Sequence, residues 1–158
     1  NNGPNDLEAR TDMMQAATMG GMSMMGPLCH FGHDIGRALG AYYHVPHGTA
    51  CVMTMPQVLE YIAPAVPEKV AYIARCLGAD LPENSSSEEI GIAAKEALRG
   101  MMKATNMPTL QSLGLDLEEL KVKVPPNVLK MGLALAPMPT NTESIIMLLE
   151  KAYRENVW

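Results

Sequence analysis

All four histidines of the chain fall within eighteen consecutive positions, as His30-x-x-His33 and His44-x-x-His47. Imidazole nitrogens are common ligands for divalent transition metals and also move protons near neutral pH. Residues three and four apart share a helix face, so His30, His33, Asp34 and Arg37 are expected on one side of a helix. His44 and His47 lie beyond its end. Pro46 breaks the chain, the next helix is expected to begin at His47, and Gly48 beside it carries no side chain to block an approaching ligand. A catalytic zinc or iron site draws on three or four protein ligands, and no HExxH or separate Asp-x-x-x-His pattern completes one. The plainer reading is a helix–loop–helix joint whose histidines are satisfied by carbonyls and water.

The elements that must position these residues read as helices throughout. "DLEARTDMMQAATMGGMSMMG" is capped by Asp6 and stopped at Pro27, and its six methionines from Met13 to Met25 are expected to fill a core. A second helix is expected over residues 27–43, with Leu28, Phe31, Ile35, Ala38 and Leu39 on its apolar face. "HGTACVMTMPQVLEYIA" predicts one helix from His47, adjusted at Pro56, and "PEKVAYIARCLG" a shorter one closed by Gly78. Ser86-x-x-Glu89 has the form of a capping box and opens a helix reaching about Thr105. Short helical pieces follow in "MPTLQSLGLDLEEL", then a helix in "PPNVLKMGLALA", then a last one opened by Thr140-x-x-Glu143. No segment reads as a strand.

The 158 residues suit a single core, and 47% hydrophobic with 18% charged residues is not the composition of a disordered chain. A net charge of −5 argues against nucleic acid or an anionic membrane as partner. Three cysteines without CxxC spacing favour a reducing, cytoplasmic setting over a disulfide framework. No apolar run approaches the roughly 20 residues needed to span a bilayer.

Taken together, "GHDIGRALGAYYHVPHGTACVMTMPQVLEY" resembles the signature region of the iron-containing (group III) alcohol dehydrogenases: a histidine, a second histidine four residues later, Leu-Gly, an aromatic residue and Pro-His-Gly, followed by an apolar helix and a proline. The likeness extends from "NDLEARTDMMQAATMGG" to "TNTESIIMLLEKAY". It implies an all-α, bundle-like C-terminal domain of about seven to nine helices, related to that of dehydroquinate synthase, with residues 1–158 as a single metal-binding unit. It implies metal ligation by His33 and His47, which stand fourteen positions apart as in the family. Arg37 occupies the position where the family often has its second histidine; an arginine keeps its proton, so any catalytic part it takes is contact with cofactor or substrate rather than proton relay. His30 and His44 match no ligand position.

In the family the other two ligands, an Asp and a His, lie upstream of the region matched here, and the NAD(P) site is in an N-terminal α/β domain. The chain is therefore expected to be the helical half alone, with that dinucleotide-binding domain absent, and to be inactive by itself. The whole enzyme would interconvert a small alcohol and its aldehyde or ketone, with Fe²⁺ or Zn²⁺ acting as Lewis acid and NAD(P) as hydride acceptor. The implied partners are the N-terminal domain and further copies of the protein, drawn together by apolar surface left uncovered around the histidines. The competing reading is a non-catalytic helical module that binds metal or another protein.

Overall fold

The computed structural model describes residues 3–26 and 29–158. Among these there is no strand, and nine α-helices run in the order α1 (Leu7–Ser23), α2 (Phe31–Tyr43), α3 (His47–Val52), α4 (Met55–Ile62), α5 (Pro67–Cys76), α6 (Ser87–Ala104), α7 (Leu117–Lys123), α8 (Lys130–Ala134) and α9 (Thr142–Glu155). The all-α expectation holds. The helices pack chiefly as α4 on α6, α5 on α6 and α2 on α3, while α9 lies against α4 and α7.

The core forms where apolar positions at helical spacing meet. Phe31, Ile35 and Leu39 of α2 are fully buried, as are Val58 of α4, Val70 and Ala74 of α5, Leu120 of α7, and Leu148 and Leu149 of α9. Each large aliphatic or aromatic side chain removed from water stabilises the fold by about 1.5–3 kcal/mol. Phe31 meets Tyr61 edge to face at 6.0 Å, and the Tyr61 hydroxyl donates to the Pro139 carbonyl and pairs with Ser144, tying α4 to the start of α9.

Several helix boundaries differ from the expected ones for identifiable reasons. α2 begins at Phe31 because His30 caps it: the His30 Nδ1 accepts from the Gly32 amide at 3.2 Å. The expected start at Pro27 and the apolar contact of Leu28 lie outside the described residues. The single helix expected from His47 is two, broken at Met53–Thr54, with Pro56 in the first turn of α4 where its missing N–H costs no hydrogen bond. "PPNVLKMGLALA" splits into a 3-10 turn at Pro125–Asn127 and the short α8. The last helix is capped by Asn141, which accepts from the Ser144 amide, and not by Thr140. The Ser86–Glu89 capping box forms as expected, with both reciprocal bonds present.

The six methionines of α1 and the turn after it do not fill a core. Met13, Met14, Met19, Met22, Met24 and Met25 are all exposed, and no residue of α1 is buried. The reason is positional: no other described helix packs along α1.

Candidate metal centre

The site lies where α2 and α3 meet. Tyr43 ends α2, and His44 takes a left-handed conformation (φ 55°) that reverses the chain; Val45 and Pro46 complete the corner, and α3 returns against α2. That conformation is disfavoured for a side-chain-bearing residue, and the packing of the two helices holds it in place. His47, the first residue of α3, thereby faces His33 on α2. Their rings meet edge to face with centroids 4.9 Å apart.

Close approach of the two helices depends on Gly36. A Cβ there would sit 2.5 Å from the Cα of Cys51 and 2.7 Å from its amide nitrogen, so any side chain at Gly36 would force the backbones apart. Cys51, one turn after His47, is brought between the histidines. Its Sγ lies 3.7 Å from the His33 Nδ1 and 3.6 Å from the His47 Nε2. One donor atom from each of the three residues falls within 4.8 Å of the others. Burial, and then the neighbouring Cys29 thiol, push the Cys51 thiol's pKa up.

The four histidines thus separate into two pairs. His33 and His47 converge, and among the described residues their ring nitrogens meet only the Cys51 sulfur. His30 does not project along the α2 face with them; its ring is committed to the cap and leans on Phe31 at 5.1 Å. Burial, with the nearby His33 adding to it, pushes the His30 pKa down, which suits a nitrogen that must keep its lone pair to accept a hydrogen bond. His44 serves the turn. Cys51 escaped the sequence reading, although its signal was present: His47-x-x-x-Cys51 places a thiol one turn from a histidine, on the same face.

Beside His33 opens a cleft of about 270 Å³ bounded by Cys29, Asp34, Arg37, Leu129 and Gly132. Arg37 is braced there. Its Nε donates to Asp34 at 3.2 Å and its Nη2 to the Asn127 carbonyl, while its side chain stays 41% exposed. Asp34 is almost fully buried, and Gly132 makes room for it, since a Cβ at Gly132 would collide with its carboxylate.

The donors suit a divalent transition metal. Two imidazoles and a thiol converge on one point, with no positively charged side chain hydrogen-bonded to them among the described residues. Nothing lies within 4 Å of a Cβ built on Gly48, so the space beside His47 is open.

Comparison with known families bears directly on this corner. The profile of the C-terminal part of the Fe-containing alcohol dehydrogenase family matches residues 1–153. The chain belongs to that family. It is 28% identical over 166 residues to the mitochondrial hydroxyacid-oxoacid transhydrogenase of Caenorhabditis briggsae, covering 94% of this chain and 35% of that protein. It is 33% identical to the choline dehydrogenase of Bacillus subtilis over 69% of this chain and 27% of that one. The solved alcohol dehydrogenase from Oenococcus oeni superposes with a TM-score of 0.84 at 28% identity, covering 96% of this chain and 39% of its own. The chain thus spans about a third of the length of the relatives it matches. Among the described residues, no helix is long and apolar enough to cross a membrane.

Proposed function

We propose that this chain is the metal-holding helical half of an NAD(P)-dependent alcohol dehydrogenase that interconverts a small alcohol and its aldehyde or ketone. The observation that carries the reading is the meeting of His33 and His47, delivered by two different helices to one corner with their nitrogens bonded to no protein oxygen or nitrogen among the described residues. His33 and His47 would hold the divalent ion, Fe²⁺ or Zn²⁺. When bound, such an ion supplies Lewis-acid polarisation of the substrate oxygen.

The chain's own residues set up the rest. The two rings are already neighbours, edge to face at 4.9 Å, so holding one ion between them needs no movement of α2 against α3. Asp34 and the Asn127 carbonyl fix the position of the Arg37 guanidinium, leaving Nη1 without a partner among the described residues to orient an anionic group of substrate or cofactor at the cleft. The open space beside Gly48 supports approach of the nicotinamide. A separate dinucleotide-binding domain would carry most of the NAD(P) contacts and cover the exposed methionine face of α1, with further copies completing an oligomer. The three free cysteines support a reducing compartment, cytoplasmic in this reading.

The test is an assay for NAD(P) reduction with short alcohols and hydroxyacids. The 158-residue chain alone is expected to give no turnover. When the chain is joined to a dinucleotide-binding domain of its family, turnover should appear and should vanish with His47→Ala. Turnover by the chain alone, or activity of the joined protein that survives His47→Ala, contradicts the proposal.

A further inference from the structure

Cys51 stands where the family pattern places no ligand, yet its sulfur is the group nearest to both histidines. Two features bring it there. His47 and Cys51 lie one turn apart on α3 and share a face, and Gly36 lets that face press against the side of α2 that carries His33.

The two sulfur–nitrogen separations match those of a coordination shell. An ion bound at about 2.3 Å from sulfur and about 2.0–2.1 Å from nitrogen, with tetrahedral angles, sets the sulfur and nitrogen about 3.6 Å apart. The Cys51 Sγ lies 3.7 Å from the His33 Nδ1 and 3.6 Å from the His47 Nε2. The Sγ also lies 4.0 Å from the His47 Nδ1, so the sulfur flanks that exposed ring, which must turn to aim a nitrogen at an ion shared with Cys51. One nitrogen of each histidine lies within 4.8 Å of the other and of the sulfur. Three protein donors are thus gathered at one corner of the molecule.

We propose that Cys51 is a third metal ligand, so that His33, His47 and Cys51 form a set with one open position that this chain can fill with a thiophilic divalent cation, Zn²⁺ in preference to Fe²⁺. The thiol gives its proton to solvent as the sulfur–metal bond forms, so one proton is released per ion bound through this ligand. A thiolate changes the preference because soft sulfur favours zinc over the harder ferrous ion, whereas a shell of imidazole and carboxylate discriminates less. The inference rests on the reading of His33 and His47 as ligands and adds the sulfur to them.

Co²⁺ is the probe, because a thiolate bound to it gives an intense near-ultraviolet charge-transfer band that nitrogen and oxygen ligands do not. Reduced chain, with helicity verified by circular dichroism, is titrated with Co²⁺, and Zn²⁺ affinity is then measured by competition. The expected result is one Co²⁺ per chain with the charge-transfer band. Cys51→Ser should abolish the band and weaken Zn²⁺ binding by at least about tenfold, while the distant, exposed Cys76→Ser leaves both unchanged. Co²⁺ binding without the band, but lost with His47→Ala, would overturn the role of Cys51 and leave the two histidines standing as ligands. A band that survives Cys51→Ser would overturn it as well, and absence of any binding by the helical chain would overturn both readings.

Discussion

Two polar regions of this molecule are built from similar materials and end in opposite states. At the junction of α4, α6 and α9, Glu60 pairs with Lys95 at 2.8 Å and Lys151 at 3.1 Å, and Lys95 also reaches Glu155 at 3.4 Å. Fully buried Gln57 and Asn156 exchange hydrogen bonds, Asn156 donates to the Met53 carbonyl, and the Arg99 Nε donates to Asn156. At the α2–α3 corner, two imidazoles and a thiol come together, and among the described residues these groups hydrogen-bond only to one another. The first network is closed, since its donors and acceptors are matched within the fold, and it holds three helices together. The second is open. These groups are gathered by a left-handed His44 and the absence of a side chain at Gly36, and among the described residues they make no hydrogen bond to the rest of the fold.

The contrast can be broken most forcefully at Gly36. Gly36→Val should destabilise the fold by about 3 kcal/mol, lowering Tm by roughly 6–12 °C, because its side chain has only the Cys51 backbone to occupy. A Tm within a degree or two of the parent would show that α2 and α3 do not depend on that approach. Next comes the closed network. Lys95→Met leaves Glu60 with Lys151 alone and Glu155 without its Lys95 ion pair, for an expected loss of about 1–3 kcal/mol in urea unfolding.

A smaller effect is expected from acid. Burial alone would push the Glu60 carboxyl up, but hydrogen bonds and charge from Lys95 and Lys151 outweigh it and hold the pKa below the ordinary 4.5. The carboxyl's folded pKa is depressed, so its contribution is complete above pH 4.5 and is lost as pH falls through the lower folded value. Thermal melts of the parent should therefore show Tm declining below pH 4.5, and Lys95→Met should flatten that part of the profile. An unchanged slope in the variant would separate Glu60 from the acid response. The smallest stability effect belongs to the open region: His47 is exposed and bonds to no protein oxygen or nitrogen among the described residues, so His47→Ala should stay within about 0.5 kcal/mol of the parent in urea unfolding.

Much of this was legible in sequence where the signal was local. The Ser86–Glu89 capping box, the Asp6 cap and the apolar spacing of Phe31, Ile35 and Leu39 each depend on neighbours within a few positions, and each appears in the structure. The break at Met53–Thr54 was not legible, because the apolar pattern continues through it and the tertiary packing of α3 on α2 and α4 on α6 decides it. The methionines of α1 misled for a related reason: helical spacing reports an apolar face but not whether anything covers it. At the site, His33 and His47 came from a spacing that the family resemblance made meaningful. Cys51 needed coordinates, since its nearness to His33 arises from a missing side chain at Gly36 on a different helix. His30 shows the converse, as a histidine of the right type and spacing that the backbone claims for a helix cap.

The central claim is that His33 and His47 hold one divalent cation between them, and calorimetric titration of the chain with Zn²⁺ tests it most directly. One Zn²⁺ per chain is expected, with His33→Ala and His47→Ala each reducing affinity by at least about tenfold while helicity is unchanged. Zn²⁺ binding undiminished by either substitution would contradict it.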